Sequence, residues 1–268
     1  MAIVLKGKAI GETDRLVTLF SPEQGLISAI APGARKPKSS LRGRVEMFVI
    51  NQFLLAQGKS LDRIVQAETQ ASFPELSRDV CLLSAGQYLI ELILRLAVPN
   101  TPQVGLYELF IEHLRRLATQ ADPNNLYAHL AQGVFHCLAI EGFAPQFYHC
   151  AITGNSLTPN FFDPQWRVGF SLELGGIVQL PLLESFQVSQ TQKQVLTQRL
   201  TAIELCLLQQ LEQPELPDFE SLPPLAQKRF RVWDWVTVEH LLRRYAQYQF
   251  NRPFQAASMV DDLWELEF

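Results

Sequence analysis

The stretch that decides the fold is residues 11–44, which read GETDRLVTLFSPEQGLISAIAPGARKPKSSLRGR. Two apolar runs in it, Arg15–Phe20 and Leu26–Ala31, have the composition of β-strands. Residues 21–25, SPEQG, favour a tight turn, because proline presets its own φ angle and glycine tolerates a positive one. The stretch therefore predicts two strands joined by a turn and followed by a long basic loop.

Three further segments near the start of the chain have strand character: Ile3–Ile10, Val45–Ala56 and Ile64–Phe73. In the last of them, apolar and polar residues alternate along residues 65–71, which is typical of a strand with one buried face. Five short strands favour a small closed barrel over an open sheet, because closure removes exposed strand edges.

From Pro74 onward the apolar residues fall at helical spacing. We expect helices near residues 82–96, 105–119, 125–141, 191–212 and 224–250, and an irregular lobe within 143–190. Trp233 and Trp235 are expected in the core, and residues 261–268, DDLWELEF, form an acidic, aromatic end. The predicted fold class is α+β, with an N-terminal β-barrel followed by an α-helical domain.

The net charge of −4 argues against a uniformly basic nucleic-acid binder, but the charge is unevenly distributed. Residues 1–70 carry ten Lys and Arg against six Asp and Glu, whereas the remainder carries thirteen against twenty-one. A basic front on an acidic body steers anionic ligands to one end of the molecule.

The most informative chemical feature is the segment 35–44, RKPKSSLRGR, which we call the basic loop. It contains five cations and no acid: Arg35, Lys36, Lys38, Arg42 and Arg44. Such side chains neutralise phosphates and release counterions, and the two serines can hydrogen-bond phosphate oxygens. The sequence therefore predicts DNA contacts here, although a solvated loop that only confers solubility is the alternative.

Other cations of the first 70 residues could extend this surface, although each alone is more readily explained as an ordinary surface cation. They are Lys6, Lys8, Arg15, Lys59 and Arg63.

Several classes of protein are excluded or disfavoured by what the sequence lacks. The four cysteines form no C-x-x-C pair, which is typical of thiols in a reducing cytosol. No signal peptide opens the chain and no apolar run approaches the ~20 residues of a membrane span, so we expect a soluble, cytoplasmic protein. No Walker-type loop or catalytic triad signature is present, so we do not expect an enzyme.

Residues 11–20, 25–27 and 31–39 resemble the opening of proteins of the RecO family in their order of turn, strand and basic loop. Residues 67–68, 88–92 and 106–110 (AE, YLIEL and LYELF) resemble the start of that family's helical domain. The resemblance is strong over roughly residues 1–120 and weaker to about residue 180. It implies an OB-fold barrel, a helical domain and a small zinc-ribbon-like lobe.

The resemblance also implies a function in recombinational DNA repair. A member of this family is expected to bind single- and double-stranded DNA, to anneal complementary strands and to help load RecA onto DNA coated by single-strand-binding protein (SSB). RecR and the acidic C-terminal tail of SSB are the implied partners. Arg115 and Arg116, beside apolar residues of a predicted helix, are candidate contacts for that tail, with an ordinary solvated helix face as the alternative.

The chain departs from the family in the lobe, where many members carry two C-x-x-C pairs. Here Cys150 is followed by Thr153 where the second cysteine belongs, and Gly175-Gly176 has no cysteine after it. Structural zinc needs four ligands, so we predict no metal and no other cofactor. The lobe is instead expected to be held by apolar packing of Phe161, Phe162, Trp166, Phe170 and Leu172.

These expectations give a division of the chain into five parts. They are 1–76 for the OB-fold, 77–145 and 183–252 for the helical domain, 146–182 for the degenerate zinc-ribbon-like lobe and 253–268 for an acidic tail. The alternative function is an OB-fold RNA-binding module in translation or tRNA handling. Strand annealing in the presence of SSB would separate the two.

Overall fold

The computed structural model describes residues 1–120, 122–180, 198–217, 220 and 222–267. The chain divides into two compact units. The first unit consists of Met1–Thr119 together with Gln255–Phe268, and the second is Gln120–Phe254.

The first unit begins with five strands that close into a barrel in the order β1-β2-β3-β5-β4. They are β1 (Ala2–Ile10), β2 (Asp14–Ser21), β3 (Gly25–Ala31), β4 (Val49–Ala56) and β5 (Asp62–Ser72). Neighbouring strands are antiparallel except β3 and β5, which pair in parallel. The predicted α+β class, with an OB-like N-terminal barrel and a helical region after it, is confirmed.

The barrel core is built from inward-facing residues of the strands, including Val4, Val17, Leu19 and Ile64, each at most 1% exposed. The fourth strand begins at Val49 and not at Val45, so the predicted start was wrong. Val45 belongs to the buried core instead, and Phe48 has a φ angle of 66°, which interrupts an extended strand.

After the barrel come a short 3₁₀ turn at Pro74–Ser77 and two helices, α1 (Val80–Leu96) and α2 (Val104–Thr119). The carboxylate of Asp79 accepts a hydrogen bond from the N–H of Leu82 at 2.8 Å, which caps the start of α1. The two helices bury mainly leucine, isoleucine and aromatic side chains.

The described residues of the second unit include α3 (Leu126–Ile140), a sheet of three short antiparallel strands, and three helices that follow this sheet in the chain. The strands are β6 (Val168–Ser171), β7 (Gly176–Val178) and β8 (Gln198–Leu200), and the helices are α4 (Ala202–Gln210), α5 (Pro224–Arg229) and α6 (Val232–Phe250). Two predicted helices are thereby corrected. Residues 198–200 pair with β6 as a strand, and the helix expected over 224–250 breaks at Phe230 and Arg231.

The lobe is packed by fewer of the predicted side chains than expected. Phe170 is fully buried and its ring centroid lies 6.0 Å from that of Phe147. Phe162, by contrast, is 86% exposed, so its expected core role was wrong. Trp233 is 60% exposed and was also wrongly assigned to the core, whereas Trp235 is buried as predicted.

The chain ends in α7 (Gln255–Glu267), which packs against α1 where the sequence suggested an acidic tail. Its buried residues Ala256, Ala257, Val260 and Trp264 follow a helical spacing. The carboxylate of Glu91 in α1 accepts the N–H groups of Gln255 and Ala256 at 2.8 and 3.2 Å and so caps the start of α7. Phe268 lies outside the described residues.

Part of the predicted helical domain cannot be compared with the described ranges, because residues 183–197, the start of its second part, fall outside them. None of the helices within them combines the length and apolar character needed to cross a membrane.

Candidate nucleic-acid interface

The basic loop is seated on the barrel by apolar side chains within it and beside it. Ala34, Leu41 and Val45 are 2%, 7% and 1% exposed and belong to the same buried core as the strands. Successive turns satisfy the loop backbone, with hydrogen bonds from the N–H groups of Lys36 and Arg42 to the carbonyls of Gly33 and Ser39. The loop is therefore a packed element of the barrel, with a defined outer surface.

Four of its five cations lie on that outer surface. Arg35, Lys36, Lys38 and Arg42 are exposed, whereas Arg44 is half-buried. Long cationic side chains that project from a fixed backbone can reach several phosphates of one strand.

A set of hydrogen bonds ties the loop to the turn between β1 and β2. The N–H of Gly33 donates to the carboxylate of Asp14 at 2.7 Å, and Arg35 Nη1 donates to the carbonyls of Gly11 and Glu12 at 3.1 and 3.0 Å. The backbone N–H of Arg35 donates to the carbonyl of Thr13 at 2.9 Å. Arg35 thus holds the loop in place as well as contributing charge.

The ionisation of Asp14 reports on the charges around it. The hydrogen bonds from the Gly33 N–H and the Thr13 hydroxyl hold the pKa of Asp14 below its ordinary value, and the charges of Arg63 and Lys36 lower it further. Arg63 also pairs with Ile30 at the end of β3. Arg63 and the basic loop therefore contribute to one region of positive potential around Asp14.

Arg44 and Arg15 are engaged in contacts within the protein. Arg44 Nη1 donates to the carbonyl of Ala67 in β5 at 2.6 Å, while the Arg44 carbonyl accepts from the Asn51 side chain at 2.7 Å. Arg15 Nη1 forms an ion pair with Glu46 at 2.7 Å. These two cations fasten the loop ends to the strands.

Lys6 and Lys8 are exposed, but strand alternation sets them apart from the loop. A β-carbon added at Gly7 would face Arg15, Val17 and the backbone of Val45, so the flanking lysines point to the opposite face of the β1–β2 ribbon. Lys59 is exposed in the turn between β4 and β5.

A cavity of about 820 Å³ in the same unit differs from the basic loop in the charge of its lining, which includes acids. Its lining includes the carboxylates of Glu23 and Asp62, several amide side chains, and apolar residues such as Ile27 and Phe53. Carboxylates repel phosphates, so this cavity is a poor site for nucleic acid.

In α2, the two arginines predicted to hold an acidic peptide share one carboxylate. Glu112 forms ion pairs with Arg115 and with Arg116, the latter at 2.9 Å. The hydrogen bond from Arg116 is the main reason that the pKa of Glu112 lies below its ordinary value. The charge offered to a ligand is therefore smaller than two free arginines would give.

The lobe does not fit a zinc ion. Cys150 is 2% exposed; burial raises the pKa of its thiol, but hydrogen bonds from the Thr153 side chain and from the N–H groups of Gln179, Thr153 and Ile152 outweigh it, so the pKa lies below its usual value. Thr153, at the position of the absent second cysteine, is thus a hydrogen-bond partner of the first. In the part of the chain that the structure describes, no three His, Cys, Asp or Glu side chains form a group that could hold a metal ion.

Comparison with known proteins gives a consistent result along the whole chain. Residues 1–73 match the family model for the recombination protein O N terminal, and residues 77–256 match that for the recombination protein O C terminal. Three relatives, each named DNA repair protein RecO, align with nearly the whole chain. The protein from Synechocystis sp. is 61% identical to this chain, and the alignment covers 100% of this chain and 97% of the relative. The proteins from Gloeothece citriformis and Nostoc punctiforme are 50% and 41% identical, with 99% and 97% of this chain and 97% and 93% of the respective relative covered. The chain therefore belongs to the RecO family of DNA repair proteins.

Proposed function

We propose that this protein is a non-enzymatic mediator of recombinational DNA repair. It binds single- and double-stranded DNA through the basic loop, anneals complementary strands and helps to load RecA onto SSB-coated DNA. One observation carries this proposal: a loop packed into the barrel core leaves Arg35, Lys36, Lys38 and Arg42 exposed to solvent.

The proposed chemistry is electrostatic. Each phosphate that a lysine or arginine neutralises releases a condensed counterion, which favours binding at low salt. Two complementary strands repel each other through their phosphates, and a cationic surface that screens this repulsion lets their bases meet and pair. Arg63 would extend the surface, and Arg15 and Arg44 would act by holding the loop. Lys59, Lys6 and Lys8 are proposed as peripheral contacts.

RecR and the C-terminal tail of SSB are the proposed partners. An acidic peptide would approach Arg115 and Arg116 and displace their contacts with Glu112, so that two cations face the ligand carboxylates. We further propose that the protein acts in the cytoplasm, in keeping with four cysteines that are all buried and form no disulfide.

The proposal is tested by annealing complementary DNA strands that are first coated with SSB. The wild-type protein should accelerate annealing, and a triple variant with Lys36→Gln, Lys38→Gln and Arg42→Gln should lose most of the acceleration. These three positions are chosen because they are exposed and Arg35 and Arg44 anchor the loop. A protein that binds RNA tightly but does not anneal SSB-coated DNA would support the RNA-binding alternative and contradict the proposal.

A further inference from the structure

A second cationic and aromatic surface lies in the second unit, in the segment 228–233, KRFRVW. Lys228, Arg229 and Arg231 are all exposed, and Trp233 is 60% exposed. Most tryptophans are largely buried, because the indole ring gains free energy on leaving water. A solvent-facing tryptophan within six residues that hold three cations needs a physical explanation.

The break between α5 and α6 explains why these side chains face outward. Phe230 and Arg231 have extended ψ angles of 139° and 150°, so the chain leaves α5 and starts α6 in a new direction. The carboxylate of Asp234 accepts the backbone N–H of Arg231 at 2.6 Å and fixes this start. Trp235, two positions after Trp233, is 5% exposed, so the helix buries one tryptophan and presents the other.

The lobe contributes a second aromatic ring to the same region. Arg229 Nη1 donates to the carbonyl of Phe161 at 3.0 Å, which brings the end of α5 to the turn that carries Phe162. Phe162 is 86% exposed. A cleft of about 210 Å³ is lined here by residues that include Arg167, Arg229 and Asp234.

The exposed charge of this surface is mainly positive. Arg167 and Arg229 line the cleft together with two acids, Asp163 and Asp234, and two more exposed cations, Lys228 and Arg231, lie within two residues of Arg229 along the chain. Both acids have local roles, since Asp234 caps the Arg231 N–H and the Asp163 carboxylate accepts the N–H of Gln165 at 2.8 Å.

We propose that this surface binds single-stranded nucleic acid, with bases stacked on Trp233 and Phe162 and phosphates held by the neighbouring lysine and arginines. Exposed aromatic rings beside cations are the combination by which proteins hold unpaired bases without reading their sequence. The inference rests on the proposed function for the class of ligand, but it concerns a different surface from the basic loop. A second surface of this kind would give one molecule an additional site for an unpaired strand.

An acidic peptide is the other ligand that cations and aromatic rings could attract. It is less suited to this surface, because a peptide anchor needs a concave apolar pocket that encloses it. Neither Trp233 nor Phe162 is among the residues that line the cleft here, and both rings are exposed to solvent.

The test uses the full-length protein, a labelled oligothymidylate and a DNA duplex of equal length. Trp233→Ala should weaken binding of the single strand by at least about fivefold, because stacking of one base contributes that much or more. Duplex binding should stay unchanged, since paired bases offer no free face. Trp233→Phe should restore most of the affinity, because a phenyl ring also stacks.

The matched control is Tyr248→Ala, which removes another exposed aromatic ring from the same helix about 22 Å further along it. It should leave the affinity for the single strand unchanged. Lys228→Gln should reduce the dependence of single-strand binding on salt, which Trp233→Ala should not do.

The outcomes separate this inference from the proposed function. If Trp233→Ala binds the single strand as the wild type does while the triple loop variant is impaired, the inference is wrong and the proposed function stands. If Trp233→Ala weakens an acidic peptide with an apolar end and not the single strand, the surface is a peptide site and the inference is also wrong. A wild type that binds neither DNA would overturn both.

Discussion

Arg42 and Arg44 are two positions apart in the basic loop, and replacing each by glutamine should have opposite consequences for stability and for DNA binding. Arg42 is exposed, whereas Arg44 is half-buried and donates to the carbonyl of Ala67 at 2.6 Å. We predict that Arg42 contacts phosphate and that Arg44 holds the loop on β5.

The magnitudes follow from these contacts. A hydrogen bond from a charged donor contributes about 1.5–3 kcal/mol, and Arg44 retains some solvent access, so Arg44→Gln should lower the free energy of unfolding by about 1–2 kcal/mol. Its phosphate contact is minor, so the slope of log affinity against log salt should change by less than about 0.3. Arg42→Gln should leave stability within about 0.5 kcal/mol and reduce the slope for single strands by about 0.7.

Two measurements decide the matter. Urea unfolding followed by circular dichroism gives the free energies, and fluorescence anisotropy of a labelled single strand at several salt concentrations gives the slopes. Equal loss of slope in both variants, with Arg44→Gln as stable as the wild type, would refute the assignment of separate roles.

Three further predictions concern the supports of the loop and the peptide site. Gly86→Ala should destabilise the protein by up to about 2 kcal/mol, because the added methyl would lie 2.7 Å from Cζ of the buried Phe48. This overpacking outweighs the gain in helix propensity that alanine brings. A stabilised variant in urea unfolding would show instead that the Phe48 ring moves freely. The Asp14 pKa is lowered in the folded protein, so the stabilising hydrogen bond from the Gly33 N–H is present above the ordinary aspartate pKa and lost as pH falls through the lower folded value. The protection of the Gly33 amide from exchange, relative to its intrinsic rate at the same pH, should therefore fall only in acid, whereas Asp14→Asn should lower it at neutral pH; equal protection in both proteins at neutral pH would count against the tether. Glu112→Gln should strengthen binding of an SSB tail peptide severalfold by removing the negative charge that Arg115 and Arg116 share, as calorimetry would detect, and unchanged affinity would argue that the peptide binds elsewhere.

The barrel was predictable because its strands carry their own signals. Apolar runs and the turn at residues 21–25 placed four of the five strand starts to within two residues. The fourth strand was placed too early because Val45 is apolar and β-branched like a strand residue, although it fills the barrel core from the loop. Sequence periodicity does not distinguish these two uses of valine.

The helical region was harder to delimit because its boundaries depend on caps. Thr201 and Glu204 form a capping box at the start of α4, and this pattern was available in the sequence as a signal for a helix start. The break before α6 has a weaker signal, Asp234 three residues after Arg231, and it decides whether Trp233 is buried. The spacing of Ala256, Val260 and Trp264 likewise indicates a helix in the apparent tail.

The cations of the site were predictable as a group but not in their separate roles. Composition marks Arg35, Lys36, Lys38, Arg42 and Arg44 equally. Only the fold shows that Arg44 reaches the carbonyl of Ala67, that Glu46 pairs with Arg15, and that Lys6 and Lys8 face away. Such differences arise from contacts between residues that are distant in sequence, which no local pattern contains.

The central claim, that the basic loop holds the phosphates of DNA, is tested most directly by the salt dependence of binding. The triple variant Lys36→Gln, Lys38→Gln and Arg42→Gln is compared with the double variant Lys6→Gln and Lys8→Gln, which removes exposed lysines from the opposite face. We expect the triple variant to lose about two units of slope on single-stranded DNA and the double variant to lose less than about half a unit. A wild-type slope in the triple variant would contradict the account.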